Sequence, residues 1–208
     1  MLDRIFNPEN RFWSFMNKIV DAMFLGILWG IASLPVITVG AATTALYQFT
    51  LKQTDDEEGY AWRSFWKAFR KNFLQATILW LIILAAGAFV AIDIYACMTI
   101  SAPAPIRVLC FALVLGMALV YVLSSLYVFP ILSRFDLPVK KILTNSVVMA
   151  MGNLYVSITV LVVYVLFLVI SWRVLLLFPV LMSIASFVNA YLFRHVFSRY
   201  WGDEETSI

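Results

Sequence analysis

Long stretches of apolar residues constrain this chain more than any other feature. Four of them run over Phe73–Ala96, Val108–Leu132, Leu154–Ile170 and Val174–Phe193. Each is close to the roughly 20 residues that a helix needs to cross the hydrocarbon core of a bilayer. Apolar residues make up 63% of the chain and charged residues 13%, whereas a soluble domain is about half apolar and a quarter charged. The runs lack the alternation of barrel strands, so they predict an all-α integral membrane protein.

A fifth apolar stretch, Ile19–Val39, contains a proline and continues past a glycine into the weakly apolar segment Ala41–Leu51. Pro35 removes a backbone donor, and Gly40 allows either a positive φ or the close approach of another helix. Backbone groups freed inside a membrane must find partners or line a wet cavity. We therefore predict a helix break with a candidate cavity, to which we assign Ser33, Pro35, Thr38, Gly40, Thr43 and Thr44.

Amphipathic segments separate the apolar stretches. Residues 8–18 and Trp62–Lys71 place aromatic residues at helical spacing, with cations on other faces. This pattern is typical of helices that lie at the membrane interface. The predicted lipid-interface residues are Trp13, Trp62, Arg63, Trp66, Lys67, Arg70 and Lys71. We interpret the acidic run Asp55–Glu58, which precedes the second segment, as a solvated helix start.

The distribution of Lys and Arg predicts the topology. Thirteen of the 15 fall before the first apolar stretch, between residues 52 and 71, between 134 and 141, or after the last stretch. All thirteen are cytoplasmic only if residues 19–51 enter the membrane and return. The prediction is three helical hairpins with both termini cytoplasmic, built from about five long transmembrane helices and one short re-entrant or returning helix.

This topology divides a single membrane domain, residues 1–208, into seven parts. They are an interfacial helix (8–18), a broken hairpin (19–51), a cytoplasmic or interfacial segment (52–72), a hairpin (73–132), a basic cytoplasmic segment (133–153), a hairpin (154–193) and a cytoplasmic tail (194–208). The segments 71–77 and 152–158 are weakly similar, which indicates either an internal repeat or chance similarity between apolar stretches.

Polar and small residues inside the apolar stretches are further candidates. Asp93 is an intramembrane acid candidate, although its place near the end of a stretch also fits an acid hydrated at the outer interface. Gly26 and Gly30 form a helix-packing GxxxG pattern, for contact within the chain or for self-association. Ser183, Ser186 and Asn189 are best explained by hydrogen bonds between helices.

Catalytic constellations are not evident in the sequence. His195 is the only histidine, and Asp55–Glu58 is the acidic cluster that lies between the apolar stretches. Metal and general acid–base chemistry need such groups together. We therefore expect no enzymatic activity, no metal, no cofactor and no nucleic-acid partner. The expected surroundings are a lipid bilayer.

Four segments together resemble the YesL family of bacterial membrane proteins. They are SLPVITVGAATTALY, starting at Ser33, then DDEEGY, FWKAFRKNFLQATILW and, later in the chain, GNLYVSITVL. The family is defined by a domain of unknown function, and the resemblance implies a multi-pass protein of the bacterial cytoplasmic membrane. It also implies an association with carbohydrate uptake, without a catalytic motif to transfer.

Two hypotheses of function follow. The first is a non-enzymatic accessory or scaffold component, with a sugar-type transporter subunit as its partner. The second is a small autonomous transporter whose path lies near the break at Pro35–Gly40. The sequence leaves open whether the chain forms a homo-oligomer.

Overall fold

A computed structural model describes residues 11–55, 59–99, 103–173 and 177–201, with the side chains of residues 11–15 and 201 left aside. The described residues form seven α-helices and one short 3-10 helix, Val36–Thr38, and contain no strand. The helices are α1 (Arg11–Ala32), α2 (Val39–Thr54), α3 (Ala61–Thr99), α4 (Ala104–Arg134), α5 (Val139–Gly152), α6 (Leu154–Arg173) and α7 (Phe178–Trp201).

Successive helices contact each other in three hairpins, α1 with α2, α3 with α4 and α6 with α7, but α1 packs mainly on α7 and α2 mainly on α3. Helix α5 packs mainly on α4. Within the described ranges, four helices are long and apolar enough to cross a membrane. They are Ala61–Thr99, Ala104–Arg134, Leu154–Arg173 and Phe178–Tyr200. The predicted all-α fold of membrane type is confirmed.

The short helix α2 lies at the centre of the bundle, in contact with α1, α3, α4 and α7. Twelve of its 16 residues are buried. Its Gly, Ala and Thr residues let neighbouring backbones approach closely, as small residues do between membrane helices. At 1.5 Å per residue α2 is about 24 Å long, which is less than the hydrocarbon thickness of a bilayer. A short returning helix was predicted here.

The prediction of separate interfacial helices is wrong in one respect. Trp62–Lys71 is helical, but it is the first part of α3, which continues to Thr99 as one helix of 39 residues. No proline and no glycine occurs in α3 before Gly87, so nothing in the backbone ends the helix at Lys71. In the same way, α1 passes without interruption through Lys18, where a change of direction was predicted.

The second hairpin is much longer than the other two. Trp80 of α3 donates a hydrogen bond to the carbonyl of Val36 at the turn between α1 and α2, at 2.8 Å. The hydroxyl of Tyr121 in α4 then bonds the carbonyl of Ile83 in α3, at 2.9 Å. Beyond this level, α3 continues for about 24 Å at 1.5 Å per residue. We call residues 84–99 and 104–120 the α3/α4 extension. Apart from Arg107, its exposed large side chains are apolar, and they include Phe89, Ile92, Leu109, Leu113, Leu115 and Leu119.

Candidate functional site

The predicted helix break is present, and two side chains satisfy the carbonyls that it frees. α1 ends at Ala32, and the hydroxyl of Thr38 lies 2.6 Å from the carbonyl of Ala32 and 2.7 Å from that of Pro35. The indole of Trp80 bonds the carbonyl of Val36. Thr38 was predicted to act in this way. Trp80 was missed, because it is distant in sequence and its aromatic type alone predicts packing.

The other three hydroxyls assigned to the break do not replace lost partners there. Thr43 bonds the carbonyl of Val39 at 2.7 Å, and Thr44 bonds that of Gly40 at 2.9 Å. Both carbonyls are one turn earlier in α2, a common bond for threonine within a helix. The buried hydroxyl of Ser33 has no hydrogen-bond partner among the described residues. The assignment of these three residues to the break or its cavity stays a prediction.

Gly40 lies at a close contact between α2 and α3. A Cβ at position 40 would lie 2.7 Å from the carbonyl oxygen of Ala76 and 2.8 Å from the Cβ of Trp80. Such distances are shorter than ordinary van der Waals contact. Of the two roles considered for Gly40, close approach of another helix is therefore the one that the structure supports.

Gly26 and Gly30 pack α1 against α7 of the same chain. A Cβ at Gly26 would lie 2.7 Å from the carbonyl oxygen of Pro179, and one at Gly30 would lie 2.9 Å from the ring of Pro179. The GxxxG face is therefore occupied within the chain. Of the two alternatives for this pattern, these distances support contact within the chain; whether the chain forms a homo-oligomer is untested.

A cavity of about 400 Å³ lies beside the break, between the three hairpins. Of the six residues assigned to the break from the sequence, only Thr43 lines it. The lining residues are Trp29, Val39, Thr43, Leu46, Tyr47, Trp80, Ser125, Leu126, Phe129, Leu161, Tyr164, Val165, Leu168, Met182 and Ser186. None of them is charged.

Three hydroxyl groups in the cavity wall form one polar cluster. The hydroxyls of Tyr47 and Tyr164 hydrogen-bond each other, and that of Tyr164 lies 3.1 Å from the Oγ of Ser186. Asn189 is fully buried against the hydroxyl of Tyr164, and neither of its amide atoms has a hydrogen bond of regular geometry. We call Tyr47, Tyr164 and Ser186 the hydroxyl cluster.

The polar residues of α7 act as predicted in two of three cases. Ser186 joins α7 to α6 through the hydroxyl cluster, and the hydroxyl of Ser183 bonds the carbonyl of Ala22 in α1, at 2.6 Å. These are hydrogen bonds between helices, which confirms the interpretation. Asn189 has no such bond of regular geometry.

Asp55 joins three helices at one end of the bundle, where α2 ends. Its two carboxylate oxygens lie 2.9 Å from Arg134 of α4 and 2.8 Å from Arg194 of α7. Its side chain is 19% exposed, so the ion pairs are only partly hydrated. The interpretation of Asp55 as part of a solvated helix start is wrong, because the residue follows α2 rather than beginning α3. The rest of that acidic run lies outside the described residues.

The carbonyl end of α2 carries further cations. Arg194 donates to the carbonyl of Thr54 at 2.9 Å, and the ammonium of Lys18 donates to that of Gln53 at 3.0 Å. Positive charges at the carboxyl end of a helix are favourable because they oppose the helix dipole. The bond of Lys18 to Gln53 ties α1 to α2. The sequence alone does not reveal this arrangement, because its members come from distant segments.

The predicted lipid-interface residues of α3 share a shallow groove on the first part of that helix. Its lining residues are Trp62, Arg63, Trp66, Lys67, Arg70 and Lys71. The rings of Trp62 and Trp66 contact each other edge to face, with centroids 5.9 Å apart. Lys71 also pairs with Asp136 at 2.9 Å. Contact of this groove with lipid stays a prediction, and the side chain of Trp13 lies outside the described residues.

Asp93 lies in the α3/α4 extension, far along α3 from the cavity. It is partly exposed and makes no ion pair within the described part of the chain. Its assignment as an intramembrane acid stays a prediction. The same described ranges hold no group of three or more His, Cys, Asp or Glu side chains that could bind a metal ion.

The fold, the four apolar helices and the uncharged cavity define a helical protein of membrane type. A family model described as a protein of unknown function, DUF624, matches residues 22–94, which include the break and all of α2. The uncharacterized protein YesL of Bacillus subtilis strain 168 is 25% identical over 154 residues, 74% of this chain and 71% of YesL. Together these findings support a YesL-family protein of unknown function, as the resemblance implied. No solved structure matches the chain.

Proposed function

We propose that this chain is a non-enzymatic accessory or scaffold component of the bacterial cytoplasmic membrane. The observation that carries the proposal is the α3/α4 extension, which rises about 24 Å above the turn of the first hairpin at 1.5 Å per residue. The third hairpin turns at a similar level, since Phe178 at the start of α7 lies 6.0 Å from Trp29 near the end of α1. Among the described residues, these two paired helices thus have no neighbours above the two short hairpins.

The difference in length between the α3/α4 extension and the two short hairpins supports binding of a partner in the membrane. Helices of a second membrane protein fit above the short hairpins and against the apolar side chains of the extension. Association of helices in a bilayer depends on packing of this kind rather than on exclusion of water. The partner that we propose is an integral subunit of a carbohydrate-uptake system, a choice that comes from the family resemblance alone.

The use of the charged groups supports a structural rather than a chemical role. Asp55 forms ion pairs with both Arg134 and Arg194, and Lys18 binds the end of α2. These charges hold helices together and are not gathered around a cavity. Enzymes instead place titratable groups in a cleft that substrate can enter.

Site-specific photo-crosslinking tests the proposal. A benzophenone side chain at Leu109 or Leu113 is placed on the extension, and controls at Val162 and Val169 are placed on α6, where both side chains are also exposed. We expect a transport subunit to be crosslinked from the extension in native membranes and not from α6. Crosslinking to lipid alone at all four sites contradicts the proposal, and crosslinking to a second copy replaces it with self-association.

A small autonomous transporter is the second candidate. The cavity beside the break favours it, because transporters place their sites at broken helices near the middle of the membrane. Reconstituted proteoliposomes decide between the candidates. Uptake of a solute by the purified chain, lost in Thr43→Leu with folding intact, favours the transporter, whereas activity that needs a second subunit favours the accessory component.

We further propose that the end of the bundle that carries Asp55 is cytoplasmic, together with both chain termini. The positive-inside rule supports this orientation, since Lys18, Arg134 and Arg194 lie at that end. The test uses single cysteines added near Asn7 and Thr206, with Cys97 and Cys110 replaced. Impermeant thiol reagents are expected to leave both unlabelled in intact cells. Labelling of either one contradicts the proposed orientation.

A further inference from the structure

The cavity beside the break has walls that exclude most classes of ligand. Its lining includes five hydroxyl groups and two indoles among otherwise apolar side chains, with no charge. A phosphate, a carboxylate or an ammonium group there would be buried without a counter-ion, which is strongly unfavourable. An ionic ligand is therefore excluded by the chemistry of the wall.

Sugars are disfavoured for a related reason, because the polar groups of the wall already have partners. Trp29 donates to the hydroxyl of Thr43 at 3.1 Å, and Ser125 bonds the carbonyl of Val122 at 2.7 Å. Trp80 is bonded to Val36. A ligand with several hydroxyls would leave most of them unpaired, and each buried unpaired group costs about 1–3 kcal/mol.

The hydroxyl cluster retains capacity for one further bond, and its direction can be assigned. Ser186 lies 2.9 Å from the carbonyl of Met182. A carbonyl only accepts, so Ser186 donates to it and accepts from Tyr164, which in turn accepts from Tyr47. The oxygen of Tyr47 also lies beside the Oγ of Ser186, but because the hydrogen of Ser186 is donated to Met182, the Tyr47 oxygen keeps a lone pair for a further donor. The cluster offers an acceptor, and the matching ligand group is a donor.

The cavity can be entered from the side that faces lipid. Val165 and Leu168 of α6 line it and are 50% and 51% exposed on the apolar outer face of that helix. The charged end of the bundle is distant, since Thr43 precedes Asp55 by twelve residues, or about 18 Å along α2. A molecule dissolved in the membrane therefore reaches the cavity without passing charged groups.

We propose that this cavity binds a membrane-soluble alcohol, with its apolar body against Trp29, Phe129 and Leu161 and its hydroxyl donating to Tyr47. The volume of about 400 Å³ falls within the range of small-molecule sites. The amide of Asn189, which lacks regular hydrogen bonds, is buried beside Tyr164 and does not itself line the cavity. This inference is independent of the accessory role.

The test uses a long-chain alcohol that carries a photoactivatable diazirine, with the corresponding alkane as a second probe. The full chain is placed in nanodiscs of phosphatidylcholine and phosphatidylglycerol, and the labelled positions are mapped by mass spectrometry. The variants are Val165→Trp, which fills the entrance, and Tyr47→Phe, which removes the accepting oxygen. Val169→Trp is the matched control, because Val169 is 60% exposed on α6 and does not line the cavity.

We expect the alcohol to label cavity-lining positions and Val165→Trp to abolish this labelling, with Val169→Trp unchanged. Tyr47→Phe removes one hydrogen bond and should weaken binding of the alcohol about three- to tenfold, with little effect on the alkane. Thermal unfolding shows whether each variant is folded. If Val165→Trp leaves the labelling unchanged, the proposed site is wrong. If folded Tyr47→Phe loses binding of both probes equally, the hydroxyl assignment is wrong. Competition by millimolar maltose would overturn the proposed class of ligand.

Discussion

Helix α2 and the α3/α4 extension show opposite relations between apolar character and burial. α2 contains Thr, Gln and Lys and is only weakly apolar, yet twelve of its 16 residues are buried. The extension is almost entirely apolar, yet most of its side chains are exposed. In a soluble protein we would expect the apolar segment to be buried and the more polar segment to be exposed, because burial stabilises apolar side chains.

The same contrast holds between whole helices. In the most apolar stretch of α4, 6% of the residues are buried, whereas in that of the less apolar α7, 50% of the residues are buried. Lipid solvates apolar side chains as well as protein does, so hydrophobicity does not select the interior. Small side chains and hydrogen-bonded polar groups determine which parts of the helices are buried. The helices that identify this chain as a membrane protein are thus not the ones that determine how it packs.

The largest effect is expected from Gly40→Leu, at the contact of α2 with α3. A side chain there would meet the carbonyl of Ala76 and the Cβ of Trp80 at less than 3 Å. Overpacking of this kind costs about 1–3 kcal/mol or more, so folded yield and thermal stability in detergent should fall sharply. Ala88→Leu and Ala112→Leu, on exposed parts of α3 and α4, are the controls. Equal stability of all three variants contradicts the contrast between interior and extension.

A smaller loss is expected for Asp55→Asn, which leaves Arg134 and Arg194 close together without their shared carboxylate. Because Arg194 is half exposed, water screens part of the repulsion, and we expect a loss of about 1–2 kcal/mol. The control is Asp136→Asn at the exposed pair with Lys71, where about 0–0.5 kcal/mol is expected. Chemical denaturation in micelles measures both. If the two variants are alike, Asp55 does not join the hairpins energetically.

Thr38→Val tests the hydroxyl that satisfies the end of α1. Loss of the bond to the carbonyl of Ala32 should cost about 1 kcal/mol. Thr159→Val is the control, since Thr159 makes an exposed bond to Tyr155 within its own helix. Thermal melting of the two variants should differ by several degrees, roughly 2–4 °C for a chain of this size. Indistinguishable melting temperatures would mean that solvent satisfies the break.

The sequence predicted the hairpins and the break because these depend on local features. Runs of apolar residues, Pro35 and the placement of cations each act within one segment. The four contacts at the charged end and the hydrogen bond from Trp80 join residues that are 35 to 140 positions apart. No periodicity links such positions, so only the packed structure shows them.

The two weakly similar segments illustrate the same limit. Asn72 and Asn153 both donate an amide bond to the carbonyl four residues earlier, Ala68 and Met149 respectively. However, α3 continues through Asn72, whereas Asn153 separates α5 from α6. Asn72 is also bonded to Gln48 of the buried helix α2, and Asn153 to Tyr200 near the end of α7. Similar local sequence therefore gives different backbone paths when the neighbouring helices differ.

The smallest effect on stability is expected from Trp62→Glu, on the first part of α3. Trp62 is 54% exposed, so the substitution should change the free energy of unfolding by no more than about 0.5 kcal/mol. Its predicted role is contact with lipid headgroups. An environment-sensitive fluorophore on Arg63→Cys, with Cys97 and Cys110 replaced, should report an apolar surrounding that becomes aqueous in Trp62→Glu.

The control for that experiment is Tyr60→Glu, at a residue 83% exposed just before α3. It adds the same charge without removing a tryptophan from the groove, so the fluorophore should stay in its apolar surrounding. Because α3 has no break near Lys71, this part of the helix cannot turn independently of the span that follows. If the fluorophore reports an aqueous surrounding even when Trp62 is present, this part of α3 projects into water, and the interfacial prediction is wrong.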